Sequence, residues 1–146
     1  MYKVYPKIIL ACLLLVMTGT VYSQRVTQTI NDGWKFSLFE GDASTADFDI
    51  SGWTDVSIPH TWNAKDADDE ISGYFRGKGW YRKVVAVEEL IPEQRVYLSF
   101  EGANQETNVF VNGTFVGNHK GGYSAFTFDV TDYVHAGRNL IAVSVD

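Results

Sequence analysis

Cysteine is nearly absent from this sequence, which contains a single one, Cys12, among 146 residues. One thiol excludes an internal disulfide and a cysteine-based zinc site, so the fold must be held together by burial of apolar side chains. The three histidines, His60, His119 and His135, lie too far apart in sequence to form a metal motif such as HExxH. We therefore predict no metal site and no cofactor.

Positive charge is also scarce. The sequence has 12 Lys and Arg against 18 Asp and Glu, which gives a formal net charge of −6. An acidic surface does not favour nucleic acid or an anionic membrane as a partner. It is compatible with a neutral partner such as a sugar.

Long apolar runs are missing as well. The longest run, residues 8–17 (IILACLLLVM), is shorter than the roughly 20 residues that a membrane-spanning helix needs. It follows two lysines and precedes the small residues before Gln24, which is the order of a secretory signal peptide. We predict a signal peptide over residues 1–23 and an exported domain over residues 24–146, located in the periplasm or outside the cell. An uncleaved anchor or a buried segment is the alternative.

No stretch has the sustained apolar period of a long helix, although residues 48–53 could contain one helical turn. Short alternating runs separated by turn residues recur instead, and they favour an all-β antiparallel sandwich over a parallel α/β sheet. In the first run, Trp34, Phe36 and Leu38 are expected to face the core. The expected strands are residues 34–38, 56–59, 80–87, 95–100, 108–111, 114–116, 125–130 and 140–145.

The strongest pattern is the segment Thr107–Asp129, TNVFVNGTFVGNHKGGYSAFTFD. Asn112-Gly113 between two alternating runs predicts a type I′ β-hairpin, which we prefer to a glycosylation site as the reason for the Asn-Gly-Thr sequence. A Gly-rich loop is expected over residues 117–122 and a third strand over residues 125–130. This unit cannot bury its apolar face alone, so the rest of the chain must supply an opposing sheet.

The string Asn112–Phe126, with the pattern NGxxVGxHxGGYxxF, resembles the N-terminal sugar-binding domain of glycoside hydrolase family 2. This family contains the β-galactosidases, β-glucuronidases and β-mannosidases. Two other segments agree, since Pro59, Trp62 and Asn63 match a Pro-x-x-Trp-Asn element and Tyr81-Arg82 precedes a valine-rich strand. The resemblance implies that the sandwich is a jelly roll of the galactose-binding-domain type.

The resemblance covers the predicted mature domain, which is only the first of at least three domains in the family. An immunoglobulin-like domain and a (β/α)₈ barrel with two catalytic glutamates follow in its members, and they are absent from this chain. The resemblance implies a retaining hydrolase of terminal β-linked sugars, for which we favour β-galactosidase, in which this domain buttresses the barrel and shapes the rim of its pocket. The implied partners are an oligosaccharide or β-glycoside substrate and the downstream domains of the same enzyme.

Two other functions remain open. The chain could be a stand-alone carbohydrate-binding module without hydrolase activity, or a purely structural remnant. Specificity for galactose, glucuronic acid or mannose does not follow from these residues, because in the family the barrel decides it.

Catalytic residues are not expected within this chain. A retaining glycosidase needs two carboxyl groups about 5–5.5 Å apart, in environments that separate their pKa values. The candidates Asp66, Asp68, Asp69 and Glu70 share one acidic loop, and nothing in the sequence buries or separates them. We therefore predict that the chain alone is inactive.

The same loop, residues 64–79, could still contact substrate, since a connection of this length without its own structure is usually either functional or disordered. In the resembled family, the loop at this place lends a polar residue to the rim of the barrel's pocket. The matching positions are Asp66, Asp69, Tyr74 and Arg76. A guanidinium donates to several hydroxyls and an aromatic ring packs on a sugar face. A salt bridge from Arg76 that orders the loop or docks the next domain is the alternative.

Aromatic residues are abundant, with 4 Trp, 8 Tyr and 9 Phe. Most of them are expected in the core of a small domain without disulfides. A sugar-binding platform built from the tryptophans together with Tyr74, Tyr81 and Tyr123 is the alternative.

Overall fold

The computed structural model describes residues 25–62 and 77–146. Within these ranges it contains eight β-strands and no helix that is long and apolar enough to cross a membrane. The predicted signal peptide and most of the acidic loop lie outside the described residues. The strands are β1 (Trp34–Leu38), β2 (Thr54–Val56), β3 (Gly79–Val87), β4 (Tyr97–Phe100), β5 (Glu106–Val111), β6 (Thr114–Lys120), β7 (Phe126–Asp129) and β8 (Gly137–Val145).

The strands form two layers. One sheet has six strands in the order β2-β1-β3-β8-β5-β6, and the other has the two strands β4 and β7. Every pair is antiparallel, and the longest ladder joins β3 to β8 over nine residues of each strand. The predicted all-β antiparallel sandwich is therefore confirmed.

The main core lies between the layers, on the inner face of the six-stranded sheet. Alternation along each strand sends every second side chain to this face, as the period of a β-strand requires. The prediction for Trp34 and Phe36 is confirmed, but Leu38 is 39% exposed because it pairs with Gly79 at the end of the ladder. The buried members of the core are Trp34, Phe36, Tyr81, Val109, Ile141, Val143 and Val145.

The predicted hairpin is present between β5 and β6. Asn112 has φ 52° and Gly113 has φ 82°, the pair of positive values that a type I′ turn needs. The predicted Gly-rich loop is wrong over its first four residues, because β6 continues to Lys120, which pairs with Glu106. Gly117 is part of this strand and faces the Phe128 ring of β7. A Cβ at this position would come within 2.8 Å of that ring, so only a glycine allows β7 to pack this closely.

The third strand of the central segment takes a different position from the expected one. It spans Phe126–Asp129 and pairs with β4 in the opposing sheet, so the hairpin and this strand do not form one layer. Phe126 and Phe128 are half-buried, and Phe128 packs against the main core, while Thr127 and Asp129 are exposed. The central segment therefore supplies strands to both layers of the sandwich.

Several strand boundaries and one predicted turn differ from the prediction. The edge strand ends at Val56 and not at Pro59, because the amide of Ile58 donates to Asn31 O (2.9 Å) outside the ladder. The helical turn over residues 48–53 is replaced by tight turns, one of which is closed by the amide of Trp53 on Ile50 O (3.0 Å). The last strand begins three residues early, at Gly137.

Candidate functional site

The four predicted rim residues, Asp66, Asp69, Tyr74 and Arg76, lie outside the described residues. Their role stays a prediction. The described residues on either side of this segment lie together, since a Cβ on Gly79 would come within 2.9 Å of the Trp62 ring. Both ends of the acidic loop therefore leave from the same end of the sandwich.

An open cleft of about 320 Å³ lies at this end, between the two layers. Its floor is the inner face of the six-stranded sheet, including Trp34 and Val145. One wall is the segment 58–62 and the other is Phe100 with the turn 102–104. The volume is at the lower end of the range for small-ligand pockets.

A histidine–tyrosine pair lines the first wall of the cleft. His60 Nδ1 and the Tyr81 hydroxyl are 3.0 Å apart, and the His60 ring packs edge-on against Phe36 at 4.7 Å between centroids. Burial raises the pKa of Tyr81 to about 12, so its hydroxyl is neutral at physiological pH and acts through hydrogen bonding. His60 therefore packs against residues of β1 and β3.

The acidic groups of the described residues do not resemble a glycosidase pair. The amide of Ser51 lowers the pKa of Asp49, and the hydroxyl of Thr131 lowers the pKa of Asp129. A general acid needs the opposite direction of shift. Among the described residues, no Asp or Glu lines the cleft, and no group of three or more His, Cys, Asp or Glu could hold a metal ion.

Arg82, from the Tyr-Arg element, lies on the outer face of the same sheet and is 3% exposed. Its Nη2 donates to Thr45 O (2.7 Å), and its guanidinium carbon lies 5.7 Å from the Phe48 ring centroid and 6.0 Å from that of Trp53. Desolvation lowers the pKa of Arg82, while the nearby Asp47 carboxylate acts in the opposite direction. The side chain therefore anchors the loop that covers this face.

The tryptophans do not form a sugar platform. Trp34 and Trp80 are both 3% exposed, which confirms that they are core residues. Trp53 and Trp62 are half-buried against neighbouring aromatic rings. Tyr123, in contrast, is fully exposed.

Asn112 has a second role that the hairpin pattern does not reveal. Its side-chain amide donates to Tyr133 O (2.9 Å) and Asn139 Oδ1 (2.8 Å), and its Oδ1 accepts from the Leu140 amide (2.9 Å). These bonds tie the turn to β8 and its preceding bend. With the amide engaged in this way, the structure also disfavours Asn112 as a glycosylation site.

Asn104 is the residue of the cleft that sequence reasoning missed. It is exposed, lines the cleft and packs against Gly122, where a Cβ would come within 2.8 Å of the Asn104 Cγ. The Gly121-Gly122 pair was the available signal, because adjacent glycines often mark a close approach of another segment. The sequence does not show which segment approaches.

The fold and the cleft together define an all-β sandwich domain. Both ends of the acidic loop lie at the end of the sandwich that carries the cleft. A family model described as the sugar binding domain of glycosyl hydrolases family 2 matches residues 27–145. The chain belongs to this family, as its central segment predicted.

Relatives with two different names are similar to this chain. It is 40% identical over 123 residues to a β-galactosidase of Thermoanaerobacter pseudethanolicus, covering 83% of this chain and 15% of the relative. It is 35% identical over 134 residues to a β-glucuronidase of Bacteroides fragilis, covering 89% of this chain and 18% of the relative. The crystal structure of a Bacteroides uniformis β-glucuronidase superposes with a TM-score of 0.77 at 39% identity, covering 84% and 15% of the two chains. The chain thus spans less than a fifth of each of these proteins.

Proposed function

We propose that this chain is the non-catalytic N-terminal domain of a family 2 β-glycosidase that hydrolyses terminal β-linked sugars with retention of configuration. The observation that carries the proposal is the family match over residues 27–145, together with relatives that are several times longer and named as glycosidases. In this proposal the two catalytic carboxyl groups belong to a barrel outside the chain.

The domain's contribution to the enzyme is to buttress the barrel and to shape one side of its pocket. The contact between Trp62 and Gly79 supports this role, because it brings both ends of the acidic loop to the end of the sandwich that carries the cleft. From there Asp66, Asp69, Tyr74 and Arg76 would extend to the substrate.

A β-galactoside is the proposed substrate and a β-glucuronide is the alternative. The relatives carry both names at similar identity, so they do not decide between the two.

The test is hydrolysis of aryl β-galactoside and aryl β-glucuronide by the native gene product that contains this chain and, separately, by the 146-residue chain. We expect hydrolysis by the gene product and none by the chain alone. Hydrolysis by the chain would overturn the non-catalytic assignment. A gene product that binds galactosides without cleaving them would establish the carbohydrate-binding module instead.

The rim role has its own test in the native gene product. Arg76→Ala should lower kcat/KM without lowering the unfolding temperature, because the lost contact is to substrate. Arg95→Ala is the matched control, since Arg95 pairs with Asp129 on the surface at 3.1 Å. Unchanged kinetics in Arg76→Ala would contradict the substrate contact and favour the salt bridge.

We also propose that the protein is exported to the periplasm or the exterior, from the order of basic, apolar and small residues before Gln24. Intact mass of the protein recovered from the cell envelope or medium should correspond to a chain that begins at Gln24. Retention of residues 1–23 would contradict cleavage.

A further inference from the structure

Asn112 is the only asparagine of this sequence that a glycine follows. Asparagine is a chemically labile residue, and a following glycine, which lacks a Cβ, leaves the next backbone nitrogen unhindered. In deamidation the Gly113 nitrogen attacks Cγ of Asn112, and Nδ2 leaves as ammonia with the proton of the Gly113 amide. Water then opens the succinimide ring to aspartate or isoaspartate. The net change replaces a neutral amide by a carboxylate.

Three hydrogen bonds hold the Asn112 side chain in the folded chain. Nδ2 donates to Tyr133 O (2.9 Å) and Asn139 Oδ1 (2.8 Å), and Oδ1 accepts from the Leu140 amide (2.9 Å). The Asn112 backbone amide also donates to Leu140 O (2.8 Å). Deamidation expels Nδ2, so both Nδ2 bonds must break on the way to the succinimide. The reaction therefore requires the turn to detach from β8 and the bend before it.

The product does not fit the closed turn. An aspartate at position 112 places a carboxylate oxygen against Tyr133 O and Asn139 Oδ1, which are both acceptors. Asn139 is 1% exposed, and its Nδ2 already donates to His135 O (2.7 Å) and Gly137 O (3.1 Å). Its Oδ1 accepts from the His135 amide (3.0 Å), so the Asn139 amide cannot turn over without losing all three bonds. A half-buried carboxylate that faces two acceptors destabilises the turn.

We propose that Asn112 is a site of spontaneous deamidation controlled by the fold, in which the amide is preserved while the hairpin is bonded to β8 and is lost once the hairpin opens. Because the product does not fit the closed turn, each deamidated chain is prevented from refolding. The modification needs only water as co-reactant. This inference is independent of the proposed function.

The first test is the rate of deamidation at residue 112 in the 146-residue chain, measured by peptide mapping with mass spectrometry. Samples are kept in native buffer and in urea at the same mildly alkaline pH. The rate in urea should exceed the native rate at least about tenfold, because three hydrogen bonds protect the folded side chain. Equal rates in the two conditions overturn the inference.

The second test places the product in the turn directly. Asn112→Asp should have a lower urea midpoint than Asn31→Asp, because its carboxylate faces two acceptors. Asn31→Asp is the matched control, since it adds the same charge at an exposed asparagine outside the strands. An Asn112→Asp chain that does not fold while the control folds gives the same support. Equal midpoints contradict the claim that the product does not fit.

The third test measures the yield of refolding against time spent in urea. The yield of the native sequence should fall in step with deamidation at residue 112. Asn112→Gly cannot deamidate at this position and keeps a Gly-Gly turn, which adopts both positive φ values. Its yield should therefore stay constant with time. A constant native yield despite deamidation overturns the inference, and so does an equal decline in Asn112→Gly, which assigns the loss to another cause.

Discussion

Tyr81 and Arg82 are neighbours in β3, point to opposite faces of the six-stranded sheet, and are both buried, at 7% and 3% exposed. The face of Tyr81 is covered mainly by β4, β7 and the segment 58–62. The face of Arg82 is covered by a loop without strands, which contributes Ala43, with Phe48 and Trp53 packed beside it. A sheet can therefore be buried on both faces even where only one face has a partner sheet.

The buried polar side chains Tyr81 and Arg82, on the two faces, differ in their hydrogen-bond partners. Burial raises the pKa of Tyr81 and lowers that of Arg82, since in each case the low-dielectric interior disfavours the charged form. Tyr81 remains neutral and shares a hydrogen bond with His60. Arg82 donates a hydrogen bond from Nη2 to Thr45 O, whereas its buried Nε and Nη1 have no hydrogen-bond partner among the described residues. On the inner side, the buried Trp62 Nε1 and Thr107 Oγ1 also lack a partner among the described residues, so each face buries two polar atoms without a hydrogen bond.

The largest expected effect is on the inner face. Trp34→Ala removes a ring that is 3% exposed and loses the bond from its Nε1 to Ile30 O (2.7 Å), so the free energy of unfolding should fall by about 3–5 kcal/mol. Trp53 is half-buried in the outer cluster, so Trp53→Ala should lower the free energy of unfolding by less. Urea unfolding of both variants measures the difference. Equal losses would show that the loop-covered face is packed as tightly as the inner one.

Substitutions of Arg82 show whether its charge or its volume stabilises the outer face. Arg82→Ala leaves a gap under Phe48 and should cost roughly 2–4 kcal/mol. Arg82→Met keeps most of the volume and removes a charge with two unpaired nitrogens, so it should cost less than half as much. Urea midpoints compare the two. Equal losses in the two variants would mean that the bond to Thr45, which both remove, and not the filled volume, holds the loop.

Tyr81 makes the inner face sensitive to alkaline pH. Its folded pKa of about 12 lies above the ordinary value of 10.0, so its contribution to stability is fully present below pH 10 and is lost as pH rises through about 12. The loss should approach roughly 2–3 kcal/mol, at 1.36 kcal/mol for each pKa unit. Urea midpoints from pH 9 to 12 should fall more steeply for the native chain than for Tyr81→Phe. Parallel profiles would contradict the assignment.

The smallest expected effect concerns the spacing of the two layers. Gly117→Ala directs a methyl group into the Phe128 ring and should cost about 1–3 kcal/mol by overpacking. Gly52→Ala, with open space around its Cβ, should change stability little. Thermal unfolding distinguishes the pair. Similar melting temperatures would indicate that β7 can shift away from β6 without loss.

Local patterns in the sequence determined much of the fold. Alternation predicted the existence of β1, β3, β4 and β7 and the inward direction of Trp34 and Phe36, because a strand's side chains alternate whatever it pairs with. Asn112-Gly113 determined the central hairpin, since both positions need positive φ. The long motif around it was enough to indicate the family that the match over residues 27–145 shows. The prediction of the rim residues stays untested because they lie outside the described residues.

The tertiary structure decided which segments meet. Alternation does not choose a partner strand, so only the structure shows that β7 pairs with β4 across the sandwich and that β6 continues to Lys120. Only the structure shows that Arg82 binds the loop at Thr45 and that Asn104 packs against Gly122. These contacts join residues far apart in the chain, where close packing and the satisfaction of buried polar groups select among many local possibilities. Sequence periodicity fixes which side of a strand is apolar, whereas three-dimensional packing fixes what covers it.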